Sequence, residues 1–91
     1  MTDPTTRAGG TRESRIVAPP GGVMTDEVGV ITGDLVLRTA IDAAGAVTLT
    51  VAYDGGDEWH RVTGVAATLR DPNDLDAVHA VAVGLLHRPQ G

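Results

Sequence analysis

From Val28 to Gly64 apolar and polar residues tend to alternate in twos, and from Leu75 to Leu86 the apolar spacing changes to threes and fours. A period of two marks a half-buried strand and a period near 3.6 an amphipathic helix. Short strands followed by a C-terminal helix are thus expected. Val28–Thr32, a Gly33-Asp34 turn and Leu35–Ile41 read as a first hairpin, because glycine supplies the positive φ of a two-residue turn. A second hairpin joins Leu35–Ile41 to Val47–Tyr53 through Asp42 and the loop Ala43-Ala44-Gly45. Glycine at the last loop position fits a type I turn with a bulge. That loop sets Ile41 opposite Val47, Thr39 opposite Leu49, Leu37 opposite Val51 and Leu35 opposite Tyr53. Turn chemistry and alternation agree here, so this hairpin is the firmest of the strand assignments.

The turn Asp54-Gly55-Gly56-Asp57 leads into Glu58–Gly64, whose register stays open. A three-residue loop turns Trp59, Arg61 and Thr63 to the core. A two-residue loop turns Glu58, His60 and Val62 there, and a bulge near His60-Arg61 would bring in both Trp59 and Val62. Asp71 is placed to cap a helix, Pro72 fits its first turn, Asp74 and Asp76 complement its positive end, and Arg88 and Pro89 mark its close. At roughly 100° per residue, Leu75, Val78, Ala82, Leu85 and Leu86 share the core-facing side. The expected fold is α+β: a small antiparallel meander of three to four strands packed by one C-terminal helix. The three-strand version takes Val28–Ile41 as one bent strand.

Residues 1–27 break the pattern. Thr, Arg, Gly and Pro dominate, and Ile16, Val17, Val23 and Met24 bury too little to offset ordering entropy, so a disordered tail is expected before a single domain over 28–91. Met1-Thr2-Asp3 recurs as Met24-Thr25-Asp26 just before the periodic region, which makes Met24 a candidate second start.

The chain has 91 residues and a formal net charge of −5, with its seven basic residues all arginine. Phosphate-dominated nucleic-acid binding normally shows a basic excess, so a nucleic-acid or acidic-membrane partner is disfavoured. No cysteine is present, which removes disulfides, thiolate metal sites and thiol nucleophiles. The first residues lack the apolar core of a secretory leader, and no run approaches a membrane span, so a cytoplasmic location is expected.

Candidate chemistry is sparse. His79 and His87 are poorly placed as joint ligands, and His79 lies at the edge of the apolar helix face, where a core-edge histidine with a hydrogen-bond partner is the simplest reading. Asp54, Asp57 and Glu58 surround two glycines, but without the alternating oxygen ligands of a calcium loop they read as solvated acids on a hairpin tip. Ser14, the single serine, falls in the tail, and no phosphate-binding glycine motif exists. No catalytic, cofactor or metal site is therefore assigned.

Two surfaces remain. The outer side of the helix carries Ala77, Ala80, Val81, Val83 and Gly84 with no charge, where a surface helix normally carries several. This points to self-association, most simply a two-fold homodimer, or to a protein partner. In the two-residue-loop register, Arg38, Thr50 and Arg61 form a row on the outer sheet face with Trp59 beside it, the residue types of a sheet-type nucleic-acid reader. The acidic excess opposes that second reading. The sequence thus predicts a small acidic non-enzymatic interaction or accessory protein, with a nucleic-acid-binding regulator as the alternative and a metal-binding protein or small enzyme third.

Overall fold

The computed structural model describes residues 10–89. Its centre is the hairpin of β4 (Asp34–Ile41) and β5 (Ala46–Tyr53), in the register that alternation and loop chemistry predict, from Ile41 opposite Val47 to Leu35 opposite Tyr53. The Asp42 carboxylate accepts from the backbone N–H groups of Ala44 and Ala46, and Gly45 takes the left-handed conformation that closes the turn. Leu35, Leu37, Thr39, Ile41, Val47, Leu49 and Val51 point to one side and are buried.

The expected tail is corrected over residues 10–27; residues 1–9 lie outside the described ones. β1 (Gly10–Val17) pairs antiparallel with β4 along its whole length, from Gly10 opposite Ile41 to Val17 opposite Asp34. Backbone pairing needs no apolar side chains, and β4 would otherwise present an open edge. The few apolar residues of the segment do bury: Ile16 and Val23 join the core. Of the polar residues on its helix side, Ser14 meets His79 and Arg12 pairs with Asp76 at the exposed edge.

β1 also displaces the expected Gly33-Asp34 hairpin. β3 (Gly29–Ile31) pairs with β2 (Val23–Thr25), not with β4. The Pro19–Gly22 turn, closed by a bond from the Gly22 N–H to the Pro19 carbonyl, directs the chain from β1 into β2. The β2–β3 pair is tied to β6 (His60–Arg61) and its continuation. Thr25 bridges Val62, the Asp26 N–H donates to the Arg61 carbonyl, and the Thr63 N–H donates to the Met24 carbonyl.

β6 pairs with β5 with Arg61 opposite Thr50 and His60 opposite Val51. This is the register of the shorter loop: Val62 turns inward and is buried, and Trp59 stays on the outer face. β7 (Ala67–Thr68) adds to the other end of β5, giving a five-stranded antiparallel sheet in the order β1-β4-β5-β6, with β7 beside β5 and the β2–β3 pair separate. The α+β class stands, but the sheet is larger than a meander of three or four strands because the segment before Val28 belongs to it.

Asp71 caps the helical segment, its carboxylate accepting from the Asn73 N–H at 2.9 Å. One 3-10 turn over Pro72–Asp74 leads into α1 (Leu75–Leu86). After the helix, the Arg88 N–H donates to the Val17 carbonyl and the Val17 N–H to His87 Nδ1, fastening its end to β1. Helix α1 lies over β1 and β4, inserting Leu75 and Ala82 into the core with Val78, Val83 and Leu86 against its margin. It is not centred on the sheet. Leu85, expected in the core, is 65% exposed, because the helix packs mainly on β1 and β4 and its other flank is left open.

Candidate functional site

The off-centre helix leaves an open apolar groove of about 460 Å³ between α1 and the β5–β6 side of the sheet. Leu49 and Val62 form its floor and Val65 one wall. Ala77, Val78, Val81 and Leu85 form the helical wall. The strands supply these residues because Leu49 and Val62 are adjacent inward positions, joined by a bond of 2.9 Å from the Val62 N–H to the Leu49 carbonyl. The helix supplies Ala77, Val78, Val81 and Leu85 because positions three and four apart share a flank. The rim is apolar as well, with Val81 62% exposed. With no polar group at its centre the groove offers no means of orienting a reacting substrate. What it can do is bury apolar side chains.

The helix residues singled out in the sequence divide around this groove. Ala77 and Val81 line it, while Ala80 and Gly84 are exposed beside it. Val83 does not belong with them: it packs against the core. Two residues along a helix is a rotation of roughly 200°, so Val83 and Val81 leave opposite flanks. Leu85 is the residue that sequence reasoning missed. Its spacing fits the apolar stripe, and only the position of the helix over the sheet shows that it projects outward.

The outer-face row exists as geometry. Arg38 lies opposite Thr50, and Thr50 opposite Arg61. The Arg38 guanidinium sits 3.8 Å from the centroid of the Trp59 ring and also forms an ion pair of 2.7 Å with Glu13 on β1. Glu13 was not part of the expected face, since β1 was not expected. It neutralises Arg38 at the β4 end of the row, and Arg38 in turn covers one face of the tryptophan that would stack a base.

His79 reaches from α1 between two strands. Ser14 Oγ lies 2.7 Å from its Nε2 and Thr39 Oγ1 2.8 Å from its Nδ1. Burial pushes its pKa below the ordinary histidine value, the nearby Arg12 charge adds to that, and Asp76 opposes it. Serine beside histidine is half of a nucleophile–base arrangement, but the third group is a threonine with no charge to hold an imidazolium. Helix α1 packs on β1 and β4 at this point, and both Ser14 and His79 are half-buried. Every buried side-chain polar atom among the described residues has a hydrogen-bond partner, and this cluster is one place where that is achieved.

The remaining candidates are dispersed. Asp57, Glu58 and His60 border a second cleft with Val28, Val30 and Tyr53, and Asp54 lies 3.7 Å from Arg15. Among the described residues no three His, Asp or Glu side chains are grouped to hold a metal ion. No helix among them is long and apolar enough to cross a membrane. Comparison with protein-family models, with curated proteins and with solved structures returned no match.

Proposed function

We propose that this chain is a non-enzymatic interaction module that works by docking an apolar protein surface into the groove between α1 and the β5–β6 side of its sheet. The observation that carries the reading is the exposure of Val81 and Leu85 over a floor of Leu49 and Val62, with no charged residue on the groove wall. A small domain ordinarily turns such residues inward, and a contiguous apolar patch left open is the mark of a contact surface. Burying Val81 and Leu85 would contribute about 1.5–3 kcal/mol for each side chain fully removed from water. The absence of cysteine and lysine, a Ser14–His79 pair whose third member is the uncharged Thr39, and the dispersed carboxylates give catalysis no comparable support. The nucleic-acid reading is the weaker one, because Arg38 is already engaged by Glu13 and Trp59.

The test is a paired capture experiment with immobilised wild type and Leu85→Arg, each exposed to extract of the native host and to the purified chain. The reading expects a protein, this chain or another, that wild type retains and Leu85→Arg releases. Equal capture by both, or capture by neither, contradicts it.

A further inference from the structure

Two of the chain's three histidines, His79 and His87, bond the helical segment to β1. His79 Nε2 meets Ser14 Oγ, and His87 Nδ1 accepts from the Val17 N–H at 2.9 Å. The two contacts answer differently to a proton. A hydroxyl turns to donate or to accept, so Ser14 and Thr39 serve either form of His79. A backbone N–H only donates. His87 therefore makes its bond only as the neutral ring with its proton on Nε2. In the imidazolium both nitrogens carry hydrogen, and N–H would face N–H. Beside this bond the Arg88 N–H donates to the Val17 carbonyl at 2.9 Å, so one residue of β1 is clasped from both its backbone groups.

The clasp holds the less firmly packed end of α1. Leu75, its first residue, is wholly buried, and along the rest of the helix only the small Ala82 is buried. Leu86, just before the clasp, reaches only the margin of the core. Burial thus fastens the start of the helix, and the clasp fastens its end.

We infer that His87 is a proton-sensitive clasp: its neutral ring ties the end of α1 to β1, and protonation opens the tie and loosens the last turn of the helix. The inference goes beyond the docking reading and does not need it, although the same turn carries Leu85 of the groove wall. Arg88 follows His87 in the chain, and the exposed Asp34 lies opposite Val17 on β4. Elsewhere on β1 the charged groups have other partners: Arg12 has Asp76, Glu13 has Arg38, and Arg15 lies 3.7 Å from Asp54. Among the described residues no carboxylate pairs with His87, so none there holds the charged ring in place. Burial and the Arg12 charge oppose a proton on His79 as well, so acid acts in one direction along the whole seam.

Amide hydrogen exchange of the full chain, corrected for the intrinsic pH dependence of exchange, reads the clasp from about pH 8 to about pH 5, across the histidine range. The Arg88 amide is the reporter, because its own bond to the Val17 carbonyl involves no titrating atom. In wild type its protection should fall on the acid side by roughly two- to tenfold, the worth of one ordinary hydrogen bond, while the Leu37 and Val51 amides of the central strands hold theirs. His87→Asn offers an acceptor that does not titrate and should stay protected throughout. His87→Ala offers none and should be weakly protected throughout. An acid-side fall of wild-type size in either variant overturns the clasp, as does wild-type protection that is unchanged with pH or missing at neutral pH. None of these readings involves a partner, so the clasp can fail while capture still distinguishes wild type from Leu85→Arg, and the reverse.

Discussion

Ser14 on β1 and His79 on α1 are joined by a contact of 2.7 Å between the serine hydroxyl and Nε2, and this bond explains how a polar strand is accepted beneath the helix. Thr39, wholly buried, occupies the other ring nitrogen. In a neutral imidazole one nitrogen donates and the other accepts, and both hydroxyls rotate to suit. The folded chain thus favours neutral His79, as the lowered pKa reflects. Below the ordinary value of 6.5 the unfolded chain takes up a proton that the folded chain resists. The stability contribution is therefore complete above 6.5 and is lost as pH falls through the lower folded value. Arg12 and Asp76 are the charged groups facing the ring. Denaturant midpoints should fall with pH across that window in wild type and much less in His79→Gln. His79→Ala should cost about 1–3 kcal/mol, because Thr39 is left buried without a partner. Identical pH slopes for wild type and His79→Gln would show that the ring does not couple to folding.

A chain beginning at Met24 lacks β1. It loses the pairing along all of β4 and the burial of Ile16, which alone is worth about 1.5–3 kcal/mol. Domains of this kind have only about 5–15 kcal/mol of total stability. The shortened chain should show no cooperative thermal transition by circular dichroism. A sharp transition would mean that β1 is dispensable and Met24 a workable start.

Two glycines should respond in opposite directions. Gly45 has φ of +90°, and a Cβ there would meet the Leu69 carbonyl carbon at 3.5 Å and press directly on its oxygen, while the Leu69 N–H donates to the Gly45 carbonyl at 2.8 Å. Gly45→Ala should cost about 1–2 kcal/mol from the backbone alone, and more as the β7 segment is pushed off β5. Gly84 lies within the helix with nothing inside 4 Å of an added Cβ, so Gly84→Ala should stabilise the protomer by about 0.5–1 kcal/mol. Chemical denaturation at low protein concentration reads both. Equal effects at the two positions would contradict the turn geometry.

The outer sheet face should not bind duplex DNA measurably near physiological salt, given the acidic excess and the engagement of Arg38 by Glu13. Fluorescence anisotropy with labelled duplex checks this. Tight, salt-sensitive binding lost in Arg38→Ala or Arg61→Ala would move the working surface to that face.

The β4–β5 hairpin was legible because its loop and its alternation impose the same register, and the helix because Asp71 and Pro89 bracket its period. Strand β1 was not, since its helix-side positions Gly10, Arg12 and Ser14 are small or polar and carry no apolar alternation; their partners Asp76 and His79 lie more than sixty residues away in the chain. Gly33-Asp34 is good turn chemistry, but β1 took the edge of β4 that a hairpin from Val28 would have used. Of the candidate site, the uncharged helix flank could be read from spacing. The groove could not, because Leu85 and Val78 have similar helical phase and only the displacement of the helix towards β1 and β4 leaves Leu85 in solvent.

Side-chain methyl chemical shifts of the wild-type chain, followed as the protein it retains, a further copy or another host protein, is titrated in, test the docking surface most directly. The account predicts concentration-dependent shifts at Leu49, Val62, Val65, Val78, Val81 and Leu85, with Val36 on the outer sheet face unmoved. Shifts confined instead to Met24, Val28 and Val30 would contradict it and place the contact on the exposed β2–β3 pair.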